Sequence, residues 1–393
     1  PRATLGWKVR SPLFVVAAAM LALPGVTVSE ESKYPLPVLL PPSVATKEAW
    51  LEKRRPELLE QFRQHIYGRA PVGRPKDLGF AVTDRAPNRK EAAITFSGPG
   101  GKGAINITVH LPDKRTAPAP VFVLINHRAG RSFAEPGYWN PSQITGRGYA
   151  AVLYNIDDVS PDRKDTFDQR VIRVFAQPGL KHPEDAWGGL AAWAWGASRV
   201  MDYLETDKDI DAKRVALVGH SRSGKAALVA GAEDERFALV VSNESGGLGA
   251  GVARVVASRL KRPGHRAIIR GYPYWFCANF RRYAETFEGL PVDQHHLIAL
   301  IAPRRVYIAS AQKDPYTVHP SEFLGGVLAA PAWKLFGLTG LARSDLPPLN
   351  TPLHDGYIGY HIRDGRHGMT EYDWECFMDY ADQHWGGREE RRQ

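Results

Sequence analysis

Five short apolar runs recur along the chain: Pro120 to Asn126 (PVFVLIN), Tyr149 to Tyr154 (YAAVLY), Val215 to Val218 (VALV), Phe237 to Ser242 (FALVVS) and Arg305 to Ser310 (RVYIAS). A strand with one wet face alternates apolar and polar residues, whereas a strand covered on both faces stays apolar throughout. Helical stretches separate the runs, notably Trp187 to Leu204 and Gly224 to Ala232. This alternation predicts an α/β class fold, a doubly wound and mostly parallel sheet flanked by helices as a three-layer sandwich. Ahead of it, Gly79 to Val109 alternates in the manner of antiparallel strands, with a turn at Gly98 to Gly103 (GPGGKG).

The start of the chain reads differently. Lys8 and Arg10 precede the apolar stretch Ser11 to Leu23, and small or turn-prone residues follow through Gly25, the pattern of a signal peptide over residues 1–28. That stretch is short of the roughly 20 apolar residues a membrane span needs, and no other stretch approaches it. The expected protein is therefore secreted or periplasmic, with no membrane contact after cleavage. Residues 29–75 form an N-terminal extension, proline-rich at Pro35 to Pro42 and helical at Lys47 to His65, and residues 76–393 form one catalytic domain.

Removing Arg2, Lys8 and Arg10 with the signal lowers the formal charge from +9 to +6. The remaining cations are interleaved with acids, and no basic stripe carries the aromatics that nucleic-acid binding calls for, so no nucleic acid is expected as a partner. An acidic polysaccharide is easier to accommodate. Cys277 and Cys376 are too few to frame a disulfide-built fold, although an exported protein could join them. A monomer is expected.

Gly219-His220-Ser221-Arg222-Ser223-Gly224 follows the buried run VALV and opens a helix of small residues. A nucleophilic serine in the α/β-hydrolase fold needs this sharp strand-to-helix turn, with small flanking residues to avoid collision, and the helix N-terminus aims N–H groups at a developing oxyanion. A serine hydroxyl also needs an imidazole to take its proton, and in this fold the histidine comes last in the chain. His367, in the glycine-flanked loop Gly365-Arg366-His367-Gly368 ahead of a C-terminal helix, is the best placed of thirteen histidines, with His295, His296 and His354 as alternatives. Two carboxylates can orient it: Glu244, just after the run ending at Ser242, and Asp314, just after the run ending at Ser310. Position along the chain does not choose between them.

These residues carry a family resemblance. Gly219-His220-Ser221-Arg222-Ser223-Gly224-Lys225 resembles the G-[CH]-S-R-x-G-K signature of the glucuronoyl esterases. Further blocks extend the likeness from about Trp187 to Trp385: the Trp-rich helix from Ala191 to Asp202, Asn243 to Gly246, Trp275-Phe276-Cys277, Leu290 to His295, Ala299 to Arg304, and His367 with Tyr372-Asp373-Trp374 behind it. The resemblance implies a serine esterase with an acyl-enzyme mechanism, cleaving the ester between (4-O-methyl-)glucuronic acid of glucuronoxylan and lignin alcohols, with no cofactor. It makes Ser221 the nucleophile, His367 the base, Asp314 the favoured acid, as in several bacterial members, with Glu244, as in fungal ones, still open, Arg222 an oxyanion donor and Lys225 a sugar-binding lysine. It also places Trp275, Tyr316 and His265 on the substrate side. A glucuronoxylan or lignin-carbohydrate ester is then the partner.

The pattern departs at three points. Asp314-Pro315-Tyr316 has a tyrosine where members usually carry a tryptophan that stacks near the sugar. Gly264-His265-Arg266 stands where a Gly-Glu pair commonly holds a sugar hydroxyl, and His220 replaces the cysteine of fungal members. These changes leave the ester chemistry intact and bear on the sugar preference, so another polysaccharide-side-chain carboxylesterase, a feruloyl or acetyl-xylan esterase, is the alternative. No metal is expected, since adjacent His295 and His296 project in different directions from a helix.

Overall fold

The computed structural model describes residues 35–129, 137–259 and 264–386. The expected signal peptide, residues 1–28, lies outside them. Nine strands form one sheet in the order β1-β2-β3-β5-β4-β6-β7-β8-β9. β1 (Gly79–Ala86), β2 (Arg89–Gly98) and β3 (Gly101–His110) pair antiparallel and join β5 (Ala150–Asn155) antiparallel. From β5 onward every pairing is parallel, through β4 (Ala119–Asn126), β6 (Ile210–His220), β7 (Leu239–Asn243), β8 (Arg305–Ala311) and β9 (Ile358–Arg363).

The apolar runs are continuous because each strand packs on both faces. Val121, Val123 and Ile125 of β4 enter one core, and the alternate Phe122 and Leu124 enter the other. β6 divides likewise, with Val215 and Leu217 on one side and Ala216 and Val218 on the other. The helices Gly189–Leu204 and Arg222–Glu233 cover the first face, and the helix Glu371–Trp385 covers the second. Small residues in the Arg222–Glu233 helix let it lie close to the sheet: a Cβ on Gly231 would stand 2.5 Å from Val240 Cγ2.

The helical segment from Lys47 to Tyr67, in the stretch expected as an extension, buries Trp50, Leu58, Phe62 and Ile66 in the first core. Full burial of each such side chain contributes roughly 1.5–3 kcal/mol. The sequence reading omitted β9, in which Gly359, His361 and Arg363 interrupt the apolar series yet are buried. Gly359 is required there, because a Cβ would meet Tyr307 Cδ2 at 2.3 Å. With β9 in place, the C-terminal ends of β6, β7, β8 and β9 deliver Ser221, Glu244, Asp314 and His367 in chain order to one edge of the sheet.

Among the described residues no helix is long and apolar enough to cross a membrane. Cys277 and Cys376 are both free and buried, so the pairing considered from the sequence is not made.

Candidate active site

Ser221 sits between β6 and the helix Arg222–Glu233 with φ 56° and ψ −122°. A non-glycine residue held there costs about 1–3 kcal/mol of backbone strain. Its N–H donates to Asn243 O at 2.8 Å, and its carbonyl accepts from Gly224 N–H at 3.0 Å, so the turn is fixed from both sides. The flanking residue must be small, since a Cβ on Gly219 would approach Ser223 O to 2.0 Å.

His367 occupies the loop after β9, its ring centroid 4.6 Å from that of His220, the residue before Ser221. Its Nδ1 lies 2.6 Å from Asp314 Oδ2 and 3.2 Å from Glu244 Oε2. Nδ1 is thereby engaged, and Nε2 is the nitrogen left for the serine. Burial lowers the imidazole pKa, but hydrogen bonds to Asp314 and Glu244 and their charges outweigh it and push it up to about 9.

The two acids are held differently. Asp314 accepts from Tyr316 N–H at 2.7 Å. Burial works to raise its pKa, yet the bond to His367 and the imidazolium charge bring it below the ordinary aspartate value. Glu244, at φ 45°, accepts from Gly368 N–H at 2.8 Å and pairs with the buried Arg363 guanidinium. Burial pushes Glu244 up to about 7. Arg363 also donates to the carbonyls of Arg366 (3.1 Å) and Gly368 (2.7 Å) and through Nε to Asp373 at 2.9 Å, so one cation ties the histidine loop to Glu244 and to the last helix.

Arg222 follows Ser221 directly. Its guanidinium pairs with Asp162 and lies 5.0 Å from the centroid of the Trp275 ring. Trp275 itself is buried: its Nε1 donates to Asp162 Oδ1 at 2.7 Å, and Tyr272 stacks on it at 4.2 Å. Trp275, expected on the substrate side, thus has its ring packed against Tyr272 and Arg222.

His265, expected on the substrate side, is also buried and packs on Phe287 at 4.3 Å. Lys225 is nearly enclosed and donates to Ser245 O and, at 2.7 Å, to Gly247 O, which leaves one of its three N–H groups. Burial lowers its pKa to about 7. Tyr316 is 72% exposed, with its ring 5.2 Å from His367 at 73°.

The fallback histidines lie elsewhere. His295 Nε2 meets Pro37 O, His296 closes the capping box with Asp293, and His354 meets the Tyr307 hydroxyl. His220, Glu244 and His367 bring ligand atoms within 4.8 Å of one another. Those atoms are committed, His220 to Arg128 and Asn243, and Glu244 to Arg363 and Gly368, so the trio is built for hydrogen bonding beside two cations rather than for a metal. The sequence reading missed Asp162, Asn243 and Arg363 as parts of the site. Only Asn243 lay in a quoted block, and nothing in the spacing of the other two ties them to Ser221 or His367.

A strained serine, an imidazole packed on the residue that precedes it and a carboxylate on that imidazole's Nδ1 are the groups an attack on an acyl carbon calls for. A family model for the glucuronyl esterase of fungi matches residues 94–337. The chain is 34% identical over 385 residues to a carbohydrate esterase from an unknown prokaryotic organism, covering 88% of this chain and 87% of that one. It is 30% identical over 305 residues to a 4-O-methyl-glucuronoyl methylesterase of Hypocrea jecorina, covering 75% of this chain and 60% of that longer protein. Among solved structures, a glucuronoyl esterase from Solibacter usitatus superposes with a TM-score of 0.81 at 34% identity, over 91% of this chain and all of that one.

Proposed function

This chain belongs to the glucuronoyl esterase family, a family of carboxylic ester hydrolases, and on that premise we propose that it cleaves the ester linking a glucuronic acid of glucuronoxylan, with or without a 4-O-methyl group, to a lignin alcohol. The observation that carries the assignment to particular residues is the meeting of Asp314 and His367 at 2.6 Å beside the strained Ser221 turn.

In the reading we propose, Ser221 Oγ gives its proton to His367 Nε2 as the oxygen forms its bond to the uronoyl carbon. The carbonyl π pair moves onto oxygen, where the Arg222 backbone N–H and guanidinium face the new charge. Asp314, on Nδ1, fixes the tautomer and offsets the imidazolium charge. When the tetrahedral intermediate collapses, the alcohol leaves with the proton from Nε2 and an acyl-Ser221 remains. Water then attacks with His367 as base, releasing the free uronic acid and restoring the serine. Tyr316 offers an exposed ring beside His367 for a sugar face, and Lys225 has one N–H for a hydroxyl. Export is part of the same reading, because the polymer lies outside the cell.

The test is hydrolysis of benzyl glucuronate, a feruloyl ester and an aryl acetate side by side, with Ser221→Ala as control. Preference for the glucuronate supports the reading, and preference for either of the others reassigns the acyl group.

A further inference from the structure

Asp162 joins three separate parts of the chain. It lies in the segment after β5, in which Trp193 Nε1 holds Ser160 O at 2.7 Å. Its Oδ2 takes the guanidinium of Arg222, the first residue of the helix behind Ser221. Its Oδ1 accepts from Trp275 Nε1 at 2.7 Å and from the Tyr274 hydroxyl at 3.0 Å, and the same hydroxyl also donates to the Asp162 carbonyl at 3.1 Å. Tyr274 and Trp275 belong to a 3₁₀ turn far from Asp162 in sequence. Arg222 then rests over Trp275, and its Nε–H is buried among the described residues without a hydrogen-bond partner.

A free arginine side chain carries about 2 kcal/mol of rotamer entropy, and an oxyanion donor acts best when fixed before the charge develops. From this convergence we propose that Asp162 is the positioning residue that holds the Arg222 guanidinium at the reacting acyl oxygen, with Trp275 and Tyr274 holding Asp162. This rests on the esterase reading and on Arg222 as an oxyanion donor. The sign of the effect is informative. A carboxylate near a developing oxyanion is unfavourable through space, so if charge alone mattered, Asp162→Asn would speed the reaction. If position matters, the same change slows it.

The experiment follows the rate at which an aryl fluorophosphonate labels Ser221, whose phosphoryl oxygen takes the oxyanion position, so the outcome is independent of the natural substrate. Full-length wild type, Asp162→Asn, Arg222→Ala and the double variant are compared, with kcat and KM measured on whichever ester the wild type turns over. Asp162→Asn is expected to lower the limiting labelling rate and kcat about tenfold or more, short of the roughly 10²–10³ of losing an oxyanion donor outright, since the guanidinium is misplaced and not removed. The reagent's binding constant and KM are expected within about twofold, since loss of a transition-state contact appears in kcat. In the Arg222→Ala background the Asp162 change is expected to add less than about twofold, because the two residues act as one unit. A labelling rate that is unchanged or raised in Asp162→Asn, or an equal loss with and without Arg222, overturns the proposal. Trp275→Phe removes one anchor of Asp162 and is expected to give a smaller loss in the same direction. No loss there, with Asp162→Asn also silent, counts against it equally.

Discussion

The Asp314 carboxylate meets Nδ1 of His367 at 2.6 Å, and Glu244 reaches the same nitrogen only at 3.2 Å. Asp314 has one further backbone donor and lies next to the exposed Tyr316, whereas Glu244 is tied to Arg363 and to Gly368 N–H. These contacts predict separable duties for the two acids, Asp314 chiefly on the imidazole and Glu244 chiefly on the loop that carries it.

Replacing each acid by its amide separates these duties. Asp314→Asn is expected to lower kcat by about 10³–10⁴ with little change in KM, the consequence of a wrong tautomer. Glu244→Gln is expected to lower kcat less but to depress the thermal midpoint more, because it takes from the buried Arg363 one of its two carboxylate partners and leaves Asp373 alone, a loss below the roughly 3–5 kcal/mol of a buried pair broken outright. Michaelis kinetics beside thermal melts read both. The reverse ranking in kcat places Glu244 as the principal acid.

The pH profile follows from His367. Its pKa stands at about 9 instead of 6.5, so the neutral imidazole is scarce at pH 7 and becomes abundant as pH rises through 9. The acidic limb of kcat/KM for the free enzyme is thus expected to climb from pH 7 to about 9 rather than level off near 7. Asp314→Asn removes the larger of the two raising carboxylates and is expected to move the midpoint to lower pH. The same shift makes the imidazolium pairing stabilise the native state fully below pH 6.5, a contribution lost as pH rises through about 9. A wild-type midpoint near 6.5 that Asp314→Asn leaves in place contradicts this electrostatic account.

Tyr316 is the exposed aromatic next to the base. Tyr316→Ala is expected to raise KM for a glucuronate ester about five- to tenfold with kcat nearly unchanged, since a stacking contact of about 0.5–1.5 kcal/mol binds substrate and transition state alike. Tyr316→Trp is expected to lower KM below the wild-type value. Unaltered KM in the alanine variant removes Tyr316 from the substrate site.

Gly231 tests the helix behind the serine. A Cβ there would meet Val240 of β7 at 2.5 Å, and overpacking of this kind costs about 1–3 kcal/mol against a gain in helix propensity of about 1. Gly231→Ala is expected to lower the thermal midpoint by a few degrees. Calorimetry showing a higher midpoint contradicts the tight seating of this helix.

Much of this was legible from local pattern. Residues 120–126, 149–154 and 215–218 are apolar because strands in mid-sheet face two cores, and glycines frame Ser221 because a Cβ is excluded at Gly219 and tightly crowded at Gly224. β9 escaped notice because His361 and Arg363 are buried polar residues whose partners, Tyr307, Asp373 and Glu244, come from other elements. Asp162 escaped for the same reason, as its three partners lie 60 to 113 positions away. Lys225, Trp275 and His265 carried a substrate-side expectation, and their burial is set by tertiary packing that no spacing reveals.

Every step of the proposed reaction depends on Ser221 as the nucleophile. Initial rates on benzyl glucuronate for wild type and Ser221→Ala, with thermal midpoints for both, test it most directly. Wild type is expected to turn over, the variant to lose about 10⁴-fold or more, as for removal of a triad nucleophile, and the two midpoints to be closely similar. A Ser221→Ala variant that keeps even about a tenth of the activity, far above the residual a lost nucleophile leaves, contradicts it.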